Sequence, residues 1–559
     1  MNCKMRRTGI LGWIAILPLS LSLGALRSAA VTLPCTQPVI QSIAPPDTTI
    51  VSAIEKIDPV LYCDVHGYVT TTNPGPNQVN FELGLPTAWN GRFLFVGNGG
   101  FAGSLDWPAV FLDWLDPFAL VTEVSAGFAA IITDTGHQGV GDLPLLDGGW
   151  ALSDLAKQDD WLFRGVHVTA VAGKAITAGL YDTAFRSYFA GCSDGGREGL
   201  VEAEQYSGDF DGIVAGDPLL GDAFIGWNWN SEKLTASLDK YIPPDKLALV
   251  DATVMQSCDA ADGAVDGLIQ DPRKCTFDPA SLLCTRGDEA GCLTTGQVAT
   301  LRAIYAGASR ASGRQIYPGF TKSDAAGNPS LLVGEDGWAF YMTGAEPPNA
   351  PGTAEPWVDP EFPPVQFTLQ DQFLKFFVFT EPNYNSLAFN INSSDLAQAE
   401  SVINRGGAAA TNPDLSTFRN RGGRLILYHG WSDPVLTPLE TVRYYKAVAR
   451  GVQGGFTGTQ QFARLFMVPG MRHCIGSGGP GPNVFDPIPS LIDWVEKGVA
   501  PEQIVAAHFK DNDPTTGIIT RTMPLCPYPR VAVFQGGNVN EASNWKCKRQ
   551  LRDALGDEE

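Results

Sequence analysis

The chain has 559 residues, of which 44% are hydrophobic and 18% carry a charge, a composition that excludes disordered and fibrous proteins. This length is enough for a large buried core, and for either one large α/β enzyme or several smaller domains. The formal net charge of −21 argues against nucleic-acid binding, because that function normally requires basic surfaces.

The first thirty residues have the three parts of a secretory signal peptide. Basic residues come first, a mainly apolar run follows at positions 10–26, and small residues precede a cleavage point after Ala30. The alternative is a membrane anchor, but the run is short and interrupted by polar residues for a span of about 20 residues. We interpret residues 1–30 as a signal peptide and expect a secreted or periplasmic protein without membrane contact after cleavage.

Short apolar runs that end in turn-rich loops recur along the chain and predict buried parallel strands. They lie at positions 93–96, 129–132, 187–190, 212–215 and 424–428. Helix-like segments, such as 161–180 and 198–207, separate several of these runs. Alternation of strands and helices is typical of an α/β sheet, which is the fold class that we predict.

This alternation fades between residues 219 and 418, a region with four cysteines, an aspartate-rich turn and a Pro/Gly-rich stretch. The strand pattern resumes at Arg424. We interpret residues 219–418 as one large insertion rather than a tandem domain, and we expect residues 31–218 and 419–559 to form a single α/β core.

The segment 191–196 reads GCSDGG and contains the pattern Gly-x-Ser-x-Gly between a predicted strand and a predicted helix. In α/β-hydrolases this pattern forms a strained turn that exposes the serine hydroxyl at the edge of the sheet. The bare pattern is also compatible with a structural turn, but the strand before it and the helix after it favour a catalytic one. We predict that Ser193 is a nucleophile.

A serine hydroxyl needs a base, and in this arrangement the base follows the acid along the chain. Three histidines follow Ser193, at positions 429, 473 and 508. His473 lies in a glycine-rich loop late in the chain, whereas His508 lies in an apolar stretch and is interpreted as structural. His429 precedes Asp433, the best candidate for the acid, and so has the wrong order for the base. We predict that His473 is the base and that Asp433 orients it; a turn or helix cap is the alternative for Asp433.

Two backbone amides are expected to stabilise the negative charge of a tetrahedral intermediate. One is expected from Asp194, the residue after the nucleophile, and the other from the glycine-rich loop 97–100. Within that loop we favour Gly100 over Gly99, because glycine lets the backbone approach closely. A plain glycine turn is the alternative.

Ten cysteines follow the predicted signal peptide, and an even number in an exported protein favours disulfides over free thiols or zinc. Local spacing favours Cys258–Cys275, Cys284–Cys292 and Cys526–Cys547, and Cys35–Cys63 is also near in sequence. Cys192 and Cys474 remain, each next to a candidate catalytic residue. A bond between them would hold Ser193 beside His473, because bonded cysteines have Cα atoms roughly 4.4–6.8 Å apart. The alternative is that both are unrelated packing residues, and the sequence alone leaves the connectivity open.

Cys-Ser, Asp and His-Cys in this order closely resemble the tannase and feruloyl esterase family of α/β-hydrolases, which includes bacterial hydrolases of monohydroxyethyl terephthalate. The resemblance covers essentially the whole mature chain, from the elbow through the insertion to the His-Cys loop. It implies an α/β-hydrolase fold in which the insertion forms a lid domain. It also implies a catalytic triad of Ser193, Asp433 and His473, and a disulfide between Cys192 and Cys474.

An acidic turn in the insertion carries Asp259, Asp262 and Asp266 within eight residues. Carboxylates this close repel one another unless a cation or solvent screens them, and calcium binds mixtures of carboxylate and carbonyl oxygens. The spacing differs from that of an EF-hand, and the sequence alone leaves a calcium site and a solvated turn equally open. The resemblance implies a structural calcium site in the lid, with these aspartates and the carbonyls of Ala264 and Leu268 as ligands.

The resemblance further implies a lid that covers the active site and selects the acyl part of the substrate, usually an aromatic acid. Phe373, Phe376 and Phe377 would share one helical face of the insertion, a pattern more typical of a core than of a pocket. We expect a secreted serine esterase, without an organic cofactor, for small esters of hydroxycinnamic or gallic acid with sugars or simple alcohols. Hydrolysis of terephthalate monoesters on the same scaffold is the close alternative.

Two other classes of protein are compatible with parts of this pattern. A non-catalytic calcium-dependent binding protein would keep the fold, but the complete set of serine, aspartate and histidine argues against it. A peptidase or an acyltransferase would use the same set. Assays with an amide substrate or with a sugar acceptor would distinguish these from an esterase.

Overall fold

In the computed structural model, the described residues are 33–105, 120–141, 143–286, 290–323, 337–357 and 363–549. The predicted signal peptide, residues 1–30, lies outside them. Within these ranges, no helix combines the length and the apolar character needed to cross a membrane.

The described residues contain fifteen strands, nine of which form one central sheet. In chain order they are β1 Thr48–Lys56, β2 Tyr62–Thr71, β3 Asn77–Pro86, β4 Arg92–Val96, β5 Ala129–Thr133, β6 Arg186–Cys192, β7 Gly212–Gly216, β8 Gly307–Ser309, β9 Gln315–Pro318, β10 Arg424–Gly430, β11 Ala463–Val468, β12 Ile504–Phe509, β13 Ile519–Leu525, β14 Arg530–Phe534 and β15 Trp545–Arg549. The order in the central sheet is β1-β2-β3-β5-β4-β6-β7-β10-β11. The pairs β1/β2, β2/β3 and β3/β5 are antiparallel, and every later pair is parallel.

Fourteen α-helices lie in the same described ranges. In chain order they are α1 Gln37–Ile43, α2 Leu120–Ser125, α3 Leu155–Asp159, α4 Gly165–Tyr181, α5 Asp194–Gln205, α6 Ala223–Thr235, α7 Pro244–Cys258, α8 Thr295–Ala306, α9 Val365–Gln372, α10 Asp395–Ile403, α11 Ser416–Asn420, α12 Pro438–Gly451, α13 Phe456–Thr459 and α14 Ile488–Lys497. Short π-helical turns at Asp160–Arg164 and Phe373–Val378 adjoin α4 and α9.

Apolar side chains alternate between the two faces of the sheet, so that each face has its own core. On β4, Phe93 and Phe95 belong to the core formed with α4, α5 and α12, whereas Leu94 and Val96 belong to the core formed with α2 and α14. The parallel strands β5, β7 and β11 are buried along their whole length, because helices cover both faces. The predicted α/β fold class is confirmed.

The central sheet is interrupted along the chain between β7 and β10. Residues 217–423 add the helices α6 to α11 and the small β8–β9 sheet, and none of their described residues joins the central sheet. Phe224, Phe373 and Phe377 of this segment form a core with Phe101, which follows β4. The segment therefore packs over a loop at the carboxyl ends of the parallel strands.

Five disulfides confirm the predicted cysteine pairs. They join Cys35 to Cys63, Cys192 to Cys474, Cys258 to Cys275, Cys284 to Cys292 and Cys526 to Cys547. Four of them join cysteines that are 8 to 28 positions apart. The bond between Cys192 and Cys474 spans 282 positions and links the end of β6 to the loop after β11.

Candidate active site

Ser193 lies at the turn between β6 and α5, with backbone angles φ 64° and ψ −121°. A left-handed φ is rare for a residue other than glycine and persists only when the surroundings hold it. The Ser193 amide donates to the Gly216 carbonyl at 3.0 Å, and the Ser193 carbonyl accepts from the Leu219 amide at 3.0 Å. This residue is therefore held at the carboxyl end of β6 in the geometry of a nucleophile elbow.

The glycine-rich loop after β4 packs directly against the start of α5. The Gly195 amide donates to the Asn98 carbonyl at 2.7 Å, and a Cβ atom at Gly195 would lie 2.6 Å from that oxygen. Position 195 therefore requires glycine, since only glycine allows this close approach. The loop 97–100 consequently lies next to the turn that carries Ser193.

Glu198 of α5 binds the same loop from the helix side. Its carboxylate accepts from the Asn98 amide at 2.9 Å and from the Asn98 side chain at 3.3 Å. Burial, together with the neighbouring Asp194 carboxylate, raises the pKa of Glu198 to about 8. Our sequence analysis missed this residue. The sequence signal that could have indicated Glu198 is its position three residues after Gly195, which places both residues on the same helix face.

The two residues predicted to supply oxyanion amides lie in these two segments. Asp194 is the first residue of α5, where backbone N–H groups lack partners within the helix. Its carboxylate is engaged elsewhere, because it accepts from Arg197 Nε at 2.6 Å. Gly100 has a φ of +57°, and a Cβ atom there would lie 2.5 Å from the Leu145 carbonyl oxygen. Position 100 therefore also requires glycine.

Asp433 and His473 form a buried pair. His473 Nδ1 donates to Asp433 Oδ2 at 2.8 Å, and Asp433 Oδ1 accepts from the amides of Val435 and Leu436 at 2.7 and 3.0 Å. Burial alone would raise the pKa of Asp433. The charges and hydrogen bonds of His473 and His429 outweigh burial and hold this pKa well below its ordinary value. Asp433 is thus an ionised acceptor that orients the His473 ring.

The disulfide between Cys192 and Cys474 connects the elbow to this pair. Its Cα atoms are 5.9 Å apart, and Cys474 has a left-handed φ of 68°. Because Ser193 follows Cys192 and His473 precedes Cys474, each candidate residue is one peptide unit from the bond. The structure thus brings Ser193, Asp433 and His473 to one edge of the sheet, after the carboxyl ends of β6, β10 and β11.

Two further buried side chains belong to this site. His429, on β10, has its Nε2 atom 3.1 Å from Asp433 Oδ2, and Asp217, directly after β7, lies 3.6 Å from the same nitrogen. Burial raises the pKa of Asp217 to about 7. We excluded His429 as the base from its order in the chain, and no pattern indicated a second role. The available signals are the His-x-x-x-Asp spacing and an aspartate directly after a fully apolar strand.

The insertion contacts the site at two places. The Tyr341 ring lies 6.0 Å from the His473 ring, in an edge-on arrangement. Three side chains of the insertion also donate to carbonyls of the loop that carries Asp433: Thr321 to Trp431, Gln366 to Pro434 and Trp227 to Val435. His508 lies outside these loops, on β12, where its ring contacts Thr520.

The acidic turn follows α7, and its carboxylates bind its own backbone. Asp259 accepts from the Asp266 amide at 3.2 Å, and Asp262 accepts from the Ala264 amide at 3.1 Å. Burial raises the pKa of Asp262 to about 6, and burial also raises the pKa of Asp266. Asp266 Oδ2 is buried and accepts no hydrogen bond. Arg521 Nη1 lies 3.8 Å from this oxygen. Clustered, desolvated carboxylates with neighbouring backbone carbonyls are suitable ligands for calcium, so the donor set fits the predicted ion.

Comparison with known sequences agrees with this geometry. The family described as tannase and feruloyl esterase matches residues 63–548. An uncharacterised esterase of Xanthomonas campestris pv. campestris is 33% identical, in an alignment that covers 91% of this chain and 87% of that protein. Mono(2-hydroxyethyl) terephthalate hydrolase of Piscinibacter sakaiensis is 33% identical, in an alignment that covers 87% of this chain and 84% of that protein.

A solved structure has the same fold over almost the whole chain. Feruloyl esterase B from Aspergillus oryzae matches with a TM-score of 0.74 and 25% identity, covering 91% of this chain and 98% of that structure. The mixed central sheet with helices on both faces is that of an α/β-hydrolase. The chain therefore belongs to the tannase and feruloyl esterase family of α/β-hydrolases and is a carboxylic ester hydrolase.

Proposed function

We propose that this chain is an exported serine esterase that hydrolyses esters of aromatic acids through a covalent acyl-enzyme. The observation that carries the proposal is a disulfide that joins the strained Ser193 elbow to the residue after His473, whose ring is bound to Asp433 at 2.8 Å. Holding reacting groups together in this way replaces an encounter in solution with an intramolecular step.

In the proposed reaction, Ser193 Oγ attacks the ester carbonyl carbon while His473 removes the hydroxyl proton. Because His473 Nδ1–H donates to Asp433, Nε2 is the atom that accepts this proton. The amides of Asp194 and Gly100 donate to the oxyanion. The bond to the alcohol then breaks and the alcohol takes the proton from His473. Water next attacks the acyl-enzyme with the help of His473, which releases the acid and restores Ser193.

The names of two relatives and an aromatic ring beside the site both support a substrate with an aromatic acyl group. Two of the similar proteins are named as a terephthalate monoester hydrolase and a feruloyl esterase. Tyr341 presents an aromatic ring beside His473, where the ring of an aromatic acid would pack favourably. We propose small esters of hydroxycinnamic or gallic acid, with a sugar or a simple alcohol, as the first substrate class. Terephthalate monoesters are the second candidate, because of the 33% identity to the hydrolase named for them.

Export is proposed from two independent features. Residues 1–30 have the pattern of a signal peptide. All ten cysteines after that segment are paired in disulfides, and such a number is typical of proteins that leave the reducing cytosol.

We further propose that residues 219–418 act as a lid with a structural calcium ion. The carboxylates of Asp259, Asp262 and Asp266 and the carbonyls of Ala264 and Leu268 would hold the ion. Calcium would supply the positive charge that three neighbouring carboxylates need. It would take no part in bond making.

The test is hydrolysis of methyl ferulate, methyl gallate and mono(2-hydroxyethyl) terephthalate, measured side by side with the mature protein. We expect turnover of at least one ester with a clear preference among the three. The Ser193→Ala variant, with an unchanged circular dichroism spectrum, is expected to lose at least about a thousandfold in kcat. No turnover of any ester, with calcium present and disulfides intact, would refute the aromatic-ester proposal and favour a calcium-dependent binding protein. Faster cleavage of a ferulic amide than of the ester would favour a peptidase.

A further inference from the structure

The carboxylate of Asp433 is shared by two histidines. Its Oδ2 atom accepts from His473 Nδ1 at 2.8 Å and lies 3.1 Å from His429 Nε2. Its Oδ1 atom accepts from the amides of Val435 and Leu436. Rotation of the carboxylate is therefore restrained at both oxygens, and one restraint is a side chain outside the proposed triad.

His429 is itself held in one orientation. Its side chain is fully buried, its Nδ1 atom lies 2.7 Å from Thr441 Oγ1, and its Nε2 atom also lies 3.1 Å from the Leu436 carbonyl. A carbonyl and an ionised carboxylate only accept hydrogen bonds, so Nε2 carries a hydrogen. Nδ1 pairs with the Thr441 hydroxyl, so both ring nitrogens are held. The single hydrogen on Nε2 is shared between the Leu436 carbonyl and Asp433 Oδ2, both 3.1 Å from Nε2.

Asp217 lies near the same His429 nitrogen. Its Oδ1 atom accepts from the Gly430 amide at 2.8 Å and lies 3.6 Å from His429 Nε2. Its Oδ2 atom lies 3.5 Å from Cys192 Sγ of the bridging disulfide. Among the described residues, the titratable groups that act on Asp217 are Asp433, which raises its pKa, and the histidines 429 and 473, which lower it. Burial is the largest influence and raises this pKa to about 7.

We propose that His429 is a positioning residue: its Nε2–H holds the Asp433 carboxylate in the rotation that meets His473, and Asp217 sets the charge around that hydrogen bond. This inference rests on the proposed serine mechanism, but the contacts that carry it do not depend on the substrate. Donation from His429 withdraws negative charge from Asp433, so it lowers the proton affinity of the His473 ring. An ionised Asp217 adds negative charge and raises that affinity. Removal of the two groups is therefore expected to have opposite effects.

The kinetic test compares pH profiles of kcat/KM on the ester that the wild-type protein hydrolyses best. In His429→Leu we expect kcat to fall about tenfold or more, while KM stays within about twofold of the wild-type value. We also expect the acidic limb of the kcat/KM profile to move to higher pH. His429→Gln keeps a donor near the Nε2 position and is expected to recover most of kcat and to return the limb toward the wild-type position. Asp217→Asn is expected to move the limb to lower pH.

A second measurement does not depend on activity. In the Ser193→Ala protein, the low-field proton NMR signal of His473 Nδ1–H is followed against pH, with and without His429→Leu. A midpoint displaced by His429→Leu supports the positioning role. If the midpoint is displaced but the wild-type protein hydrolyses no ester, the missing hydrolysis counts against the proposed function alone. The inference would be overturned if the midpoints and the acidic limbs stay at the wild-type pH in both His429→Leu and Asp217→Asn, and only thermal stability is reduced.

Discussion

At the residue level, several residues of the candidate reaction centre have backbone conformations that most side chains avoid. Ser193, Cys474 and Gly100 have φ values of 64°, 68° and 57°. Ser193 and Cys474 have a Cβ atom, and such conformations persist only where surrounding contacts hold them. At Ser193 these contacts come from Gly216 and Leu219, and at Cys474 the side chain is fixed by its disulfide.

Gly100→Ala tests the oxyanion loop against a matched control. Gly91 also has a left-handed φ, of +80°, but a Cβ atom there would meet nothing within 4 Å. Each alanine costs about 1 kcal/mol for its backbone conformation, and only Gly100→Ala also forces the loop away from the Leu145 carbonyl. We expect kcat/KM to fall at least about tenfold in Gly100→Ala and to stay unchanged in Gly91→Ala. Equal kinetics in the two variants would remove Gly100 from the oxyanion role.

Glu198 is expected to make the stability of the protein depend on pH. Its pKa is raised from 4.5 to about 8 in the folded state, so the folded protein retains a proton that the unfolded chain releases between these values. The free energy of unfolding therefore falls as pH rises through this window. Between about pH 5 and about pH 8.5, we expect Tm to fall further in the wild type than in Glu198→Gln. Parallel Tm curves for the two proteins would show that the Glu198 carboxyl is not perturbed.

At the level of elements, the sequence analysis identified five of the six parallel strands of the central sheet, missed β11, and displaced some boundaries. The helix predicted at 198–207 begins at Asp194, because Gly195 and Gly196 have low helix propensity and hide its first turn. The antiparallel strands β1 to β3 were not predicted. Polar residues interrupt each of them, such as Ser52 in β1, Asp64 in β2 and Asn80 in β3, so no continuous apolar run marks them.

Two disulfides form a matched pair for a test at this scale. The cysteines of the Cys192–Cys474 and Cys526–Cys547 bonds are 282 and 21 positions apart, and chain entropy attributes about 6 and about 3 kcal/mol to loops of these lengths. We expect replacement of either pair by serine to lower Tm. Only loss of Cys192–Cys474 is expected to lower kcat as well, by about a hundredfold, because Ser193 and His473 lose their common tether. Similar kcat values in the two double variants would contradict a catalytic role for the bridge.

The acidic turn is expected to link calcium to activity. A Cβ atom at Gly470, three residues before His473, would lie 2.6 Å from Leu268 Cδ2, so the turn contacts the histidine loop. Removal of calcium with EDTA is expected to lower Tm and kcat together, and added calcium is expected to restore both. In Asp266→Asn, neither EDTA nor added calcium is expected to change Tm or kcat. Asp278→Asn serves as the control, because this exposed aspartate pairs with Arg302 outside the turn. The calcium site would be refuted if EDTA changes neither Tm nor kcat of the wild-type protein.

At the scale of the whole molecule, local patterns predicted the composition of the site better than its arrangement. The cysteines beside Ser193 and His473 indicated which distant segments meet, and the disulfide confirms that connection. The order β3-β5-β4-β6 and the position of Asp217 beside His429 depend on packing between segments far apart in sequence. No periodicity within one segment encodes such contacts, and for this reason the buried groups around Asp433 were missed.

The central claim is that Ser193 forms a covalent bond with the acyl group of the substrate. The most direct measurement is peptide mapping by mass spectrometry after reaction with a p-nitrophenyl phosphonate ester, which forms a stable adduct with a serine nucleophile. We predict a single adduct, on the peptide that contains Ser193, and a parallel loss of ester hydrolysis, with no adduct on Ser193→Ala. Ester hydrolysis that survives complete labelling of Ser193, or wild-type turnover by Ser193→Ala, would contradict the claim.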